Sequence, residues 1–138
     1  MDMSSVNWLA VIVCVIFAML SGSVWYHPKT FFPIWWKGLN KKEASPEMTN
    51  RPGPMLWILT IVAVLVEVVG VSFLIKAMGA TTVASGAAAG FMLWLGLIAT
   101  TYLVNNLFAG DGFKVWAIEV GNHLLNLLVF GAILAAWR

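Results

Sequence analysis

Glu119, Asn122, His123 and Asn126 are the residues of this chain whose types and spacing could do chemistry together. Their i, i+3, i+4, i+7 pattern gathers them onto one helical stripe roughly 100° wide. A carboxylate that orients an imidazole builds proton relays and supports metal ligands, so Glu119 with His123 is the sharper half of the stripe. Asparagines also hydrogen-bond between membrane helices, each bond being worth about 0.6–2 kcal/mol, which is the plainer reading of Asn122 and Asn126. The opposite face, with Leu124, Leu125 and Leu128, is apolar. Glu67 is a lone carboxylate in the middle of a second apolar run. A charge at such a position costs about 2.5–3.5 kcal/mol on insertion scales, so its presence implies a partner or a task.

Several catalytic chemistries fail on residue supply. Catalytic zinc needs three protein ligands and an open position. The chain has two histidines, and Glu119 to His123 is not an HExxH pattern. Bis-histidine haem would need His27 and His123 at one level, yet the helical rise separates them by about 13 Å. Cys14 is the single cysteine, which excludes an intramolecular disulfide and any CxxC motif, and within its apolar run it reads as a small packing residue. No nucleophile motif, phosphate loop or nucleotide fingerprint is present. The expectation is a protein that is not an enzyme and has no metal site or cofactor.

The elements that must position these residues follow from composition. Of 138 residues, 61% are hydrophobic and 10% charged, against about a quarter charged in soluble domains. The mean hydropathy is +0.88. So short a chain cannot bury that much apolar surface in a water-surrounded core. The surplus must face a lipid bilayer. A net charge of +2, scattered along the chain, gives no reason to expect nucleic acid as a partner.

A helix needs about 20 apolar residues to cross the hydrocarbon core. Runs at roughly 7–26, 54–75, 82–108 and 115–137 qualify. The expected fold is therefore all-α: one integral membrane domain over residues 1–138, a four-helix bundle with short hairpin loops and one longer loop between spans one and two. Met1 to Asn7 carries Asp2 and no basic residue, the wrong start for a cleaved signal peptide, so the first run is expected to stay as a span although Ser21-Gly22-Ser23 could pass as a cleavage site. Pro28 ends that span, and Asn50 to Pro54 is a turn leading into the second. Tight links at Lys76–Thr81 and Ala109–Gly112 predict two antiparallel hairpins. The long connection begins with an aromatic, basic stretch suited to the headgroup interface and ends in an aqueous one, where Ser45-Pro46-Glu47 could start a short helix.

Tryptophans mark both boundaries, and only Trp94 falls mid-span. Lys29, Lys37, Lys41, Lys42, Arg51 and Lys114 lie at the end holding the long loop, against Lys76 and Arg138 at the other. The positive-inside rule then predicts a cytoplasmic loop and both termini outside. Counting rise from Lys114 places Glu119 about 7 Å deep, His123 about 13 Å and Asn126 about 18 Å, with Glu67 at roughly 20 Å. Asn105 and Asn106 fall near the level of Glu119, and Ser21 and Ser23 in the same half. A polar cluster in the cytoplasmic half is the geometric expectation. In the third span, Gly86 and Gly90 form a GxxxG that can serve helix packing within the chain or a subunit interface.

Asn7-Trp8 opens the first span, and Trp25-Tyr26-His27-Pro28 leads into an aromatic stretch ending at Trp35-Trp36. The C-terminal half adds WLGLIATTYLVNNLF, a Gly-Asp-Gly turn and GNHLLNLLVFGAILAAWR. Together these features resemble an uncharacterised bacterial membrane family, domain of unknown function 1761. The resemblance implies four spans in a bacterial inner membrane and supplies no activity. In the family's last span an acidic residue is followed by Gly-aromatic-His, which maps here onto Glu119, Gly121 and His123, with Asn122 in place of the aromatic. On function, buried ionisable residues favour a small transporter or an ion- or proton-binding protein. Four helices enclose little space, so such a protein is expected to act as a homo-oligomer. The alternative is an accessory or scaffold subunit of a larger membrane complex.

Overall fold

Proline and glycine set most of the helix limits. The computed structural model describes residues 2–39 and 53–137. A 3-10 turn at Met3–Ser5 leads to α1, Trp8–Trp25, whose first turn is capped by Asn7 accepting the Ala10 N–H at 3.2 Å. Helix α1 stops just before Pro28. Helix α2, Phe32–Gly38, is a short aromatic helix with Pro33 in its first turn. Helix α3, Pro54–Ala77, begins on Pro54 and gives way to Gly79, whose φ of 73° suits glycine alone among common residues. Helix α4, Val83–Ala109, opens with a capping box between Thr82 and Ser85 and ends at Gly110, φ 78°. It carries a π-helical stretch at Trp94–Ala99. Helix α5 is Phe113–Ala136.

Helices α1, α3, α4 and α5 are long and apolar enough to cross a membrane. Their limits fall within a few residues of those the apolar runs predict. The protein is an all-α, multi-pass membrane bundle of four spans. The suggested helix start at Ser45-Pro46-Glu47, most of the Asn50–Pro54 turn, and the charges Lys41, Lys42, Arg51 and Arg138 lie outside the described residues.

Helix α5 is the hub. It packs against every other helix, and 44% of its apolar window is buried against 22% or less for the rest. Its closest neighbour is α4, and glycine is the reason. A Cβ on Gly86 would run into the Gly131 carbonyl, one on Gly90 into the Leu127 carbonyl, and one on Gly131 into the Gly86 carbonyl. The Gly86/Gly90 motif thus brings α4 onto α5 of the same chain, backbone against backbone.

Helix α3 behaves differently. Its buried residues, Val68, Val71, Ser72 and Ile75, all lie in its C-terminal half. Met55 to Leu59 are exposed. The tight turn joins α3 and α4 as antiparallel neighbours, but α3 meets α4 chiefly along Val83–Leu93. Its other end stands away from the bundle. The Lys76 ammonium donates to the Ser5 carbonyl, and the Asn7 amide donates to the Trp137 carbonyl at 3.0 Å. Both chain ends therefore share one end of the bundle with the α3–α4 turn. Helix α2 and the α4–α5 turn occupy the opposite end.

Candidate functional site: a polar cavity inside the bundle

The stripe on α5 faces inward, and a different element answers each part of it. From α1, the Ser21 hydroxyl donates to Asn126 Oδ1 at 2.6 Å and accepts from Asn122 Nδ2 at 3.4 Å. Asn122 and Asn126 are each 7% exposed, and this relay ties α1 to α5. From α2, the Trp35 indole N–H donates to Glu119 Oε1 at 3.2 Å. From α4, the Tyr102 hydroxyl meets His123 Nε2 at 3.1 Å. The second ring nitrogen, Nδ1, is buried without a hydrogen-bond partner among the described residues.

Tryptophans hold the frame around the stripe. The Trp25 indole donates to the Ile118 carbonyl at 2.7 Å, and its ring lies where a side chain on Gly121 would have to go. Trp94 donates to the Val120 carbonyl at 2.7 Å. Trp116 donates at 2.9 Å to the carbonyl of Ala99, the last residue of the π stretch.

Where α3 leaves the bundle, a cavity of about 710 Å³ opens between α1, α2, α3 and α5. Asn122, His123 and Asn126 line it from α5, and Glu67 lines it from α3. Glu67 comes in on a run of facing positions, Leu56, Thr60 and Val64, spaced by single helical turns. It makes no hydrogen bond or ion pair with a described residue. Tyr102 stands within electrostatic reach of both Glu67 and Glu119, so the two carboxylates belong to one polar region. At the mouth are Tyr26, His27, Phe32, Trp35 and Trp57. His27 Nδ1 accepts the Lys29 N–H at 3.1 Å.

The structure thus brings Glu67, Asn122, His123 and Asn126 to one cavity and sets Glu119 behind Trp35 at its wall. Asn105 is not brought in: it is exposed, and its neighbour Asn106 is the buried one. Successive helical residues point about 100° apart, so only one of the pair can face α5. With its amide set to satisfy both ends, Asn106 donates to the Tyr102 carbonyl at 3.3 Å and accepts the Trp116 N–H at 3.2 Å. Gly86 and Gly90 lie on the other side of α5 as a packing motif.

Trp35 and Tyr102 were not legible as site residues. Trp35 sits in a stretch with Phe31, Phe32 and Trp36, where spacing gives no reason to single it out. Tyr102 carried a usable signal, as the sole tyrosine of the third span. Among the described residues no group of three His, Cys, Asp or Glu side chains is placed to hold a metal ion. What the arrangement can do is hold a solute in a partly enclosed space, with a carboxylate and hydrogen-bonding groups on facing walls.

No curated protein and no solved structure matches the chain. A family described as "Protein of unknown function (DUF1761)" matches it over residues 9–135, which takes in every membrane helix almost to its ends. The chain belongs to that family of proteins of unknown function, DUF1761.

Proposed function

We propose that this protein binds a small cation, the proton included, inside the membrane and moves it across, with the α1–α2–α3–α5 cavity as its binding site. The observation that carries this reading is that Glu67, Asn122, His123 and Asn126, from two facing helices, open into a single cavity of about 710 Å³. A carboxylate kept in a low-dielectric region with no counter-charge among the described residues needs a proton or a cation to complete it. The cavity is framed by one chain, so a homo-oligomer is not required to build it. An accessory subunit would be expected to turn its polar stripe outward toward a partner, whereas these side chains turn inward.

Sidedness follows from the charges. Lys29, Lys37 and Lys114 lie at the α2 end and Lys76 at the other, which favours a cytoplasmic α2 end and external termini, in a bacterial inner membrane.

The test is charge displacement by the full chain in proteoliposomes on a solid support, after concentration jumps of protons, sodium, potassium or methylammonium. At least one jump should give a transient current absent from empty vesicles. That current should vanish in Glu67→Gln. Wild-type currents no larger than those of empty vesicles, or a Glu67→Gln current of full size, would defeat the proposal.

A further inference from the structure

Building on that reading of the cavity, we infer that its preferred solute is an amphipathic organic ammonium, with Glu67 as its counter-ion and aromatic side chains along its approach.

Size comes first. A cavity of about 710 Å³ lies within the roughly 300–1,000 Å³ range of sites that enclose drug-sized organic molecules. A bare ion would leave most of that space unfilled.

Charge comes second. Among the described lining residues Glu67 is the acidic side chain, and none is lysine or arginine. Anionic solutes would therefore meet a carboxylate with no compensating cation, which selects against them. The same imbalance weighs against a zwitterionic headgroup, whose phosphate would find no basic partner among the described lining residues. An ammonium supplies the one charge the site lacks.

Third, an aromatic collar of Tyr26, Phe32, Trp35 and Trp57 lines the cavity toward the α2 end. Tryptophan, tyrosine and phenylalanine faces attract ammonium groups through their quadrupole, most strongly where water is excluded. The collar also offers apolar area to the hydrocarbon part of the solute. Helix α3 carries Trp57 and Glu67 on the same inward run, ten residues or about 15 Å of helical rise apart. A solute entering at the splayed end of α3 would pass the collar before reaching the carboxylate.

The probe pair is benzyltrimethylammonium and its neutral isostere neopentylbenzene, which differ in nitrogen against carbon at one atom. Binding to the full chain is measured by isothermal titration in nanodiscs. The ammonium should bind saturably, at least tenfold more tightly than neopentylbenzene. Glu67→Gln should remove at least ninety per cent of that preference. Equal affinity for the two probes, no saturable ammonium binding, or full preference in Glu67→Gln overturns the inference. Nanodiscs of phosphatidylcholine and of an ammonium-free glycolipid distinguish the source. Equal affinity in the two supports a free solute, and weaker binding in phosphatidylcholine overturns that source in favour of the lipid's own ammonium. Currents that depend on Glu67 without any preference for the ammonium would sink this inference and leave the cation-binding reading standing. Absence of both would sink the two together.

Discussion

Ser21 has a larger role than a small hydroxyl in an apolar helix would suggest, because it is donor to one buried amide and acceptor from another. Removing it takes the Ser21 hydroxyl from Asn126 Oδ1 and an Asn122 N–H, both largely buried, and a buried polar group left unpaired costs about 1–3 kcal/mol. Ser21→Ala should therefore lower the thermal unfolding midpoint in detergent, whereas Ser23→Ala, which loses only a bond to the Met19 carbonyl of its own helix, should not. Equal midpoints for the two variants would show that the relay carries no stability. At Trp35 the expected effect is functional. Trp35→Phe keeps the ring and deletes the indole donor to Glu119, so it should alter cation-dependent currents more than it alters the unfolding midpoint. The i, i+3, i+4, i+7 spacing made the stripe legible, since it constrains a helix whatever surrounds it. Its partners were legible only in part: depth put Ser21 in the same half, and nothing indicated Trp35 or Tyr102. Ser21, Trp35 and Tyr102 come from three other segments, and no local pattern records which side chain reaches across. The Asn105 and Asn106 pair makes the point at its smallest: adjacent identical residues, of which packing buries one.

Among the elements, α4 and α5 are joined by a backbone contact that tolerates no added atom at Gly86, Gly90 or Gly131. Gly90→Ala forces the helices apart or strains them, and overpacking of this kind costs about 1–3 kcal/mol. Gly70 supplies the internal control, because a Cβ there meets nothing within 4 Å. Gly70→Ala should be neutral or stabilising by roughly 0.5–1 kcal/mol through the gain in helix propensity. Measured by unfolding in detergent, the two substitutions should move stability in opposite directions; movement in the same direction would count against this picture of the interface. Helix positions were readable because length, proline and glycine fix them locally. The π stretch at Trp94–Ala99 was not, and neither was the separation of α3 from the bundle at one end. Helix α3 is apolar all round, so its composition cannot tell a lipid-facing half from a packed one.

For the molecule as a whole, the fold places both termini and the α3–α4 turn together, with α2 and the α4–α5 turn opposite. Single cysteines at Asp2 and Met78 should be labelled by an impermeant maleimide from one side of the membrane, and cysteines at Lys29 and Lys114 from the other. Native Cys14 is fully buried and should stay silent. Labelling of Asp2→Cys and Lys29→Cys from the same side would contradict the four-span topology. The attachment of α3 by only its C-terminal half has a mechanical consequence. A 24-residue helix is about 36 Å long, more than the roughly 30 Å of hydrocarbon it crosses, so it fits by leaning. Its free half is the wall of the cavity. The lean of α3 and the capacity of the site are then a single variable, set by acyl-chain length: thin bilayers spread the wedge and thick ones draw it shut, making the lipid matrix itself a gatekeeper.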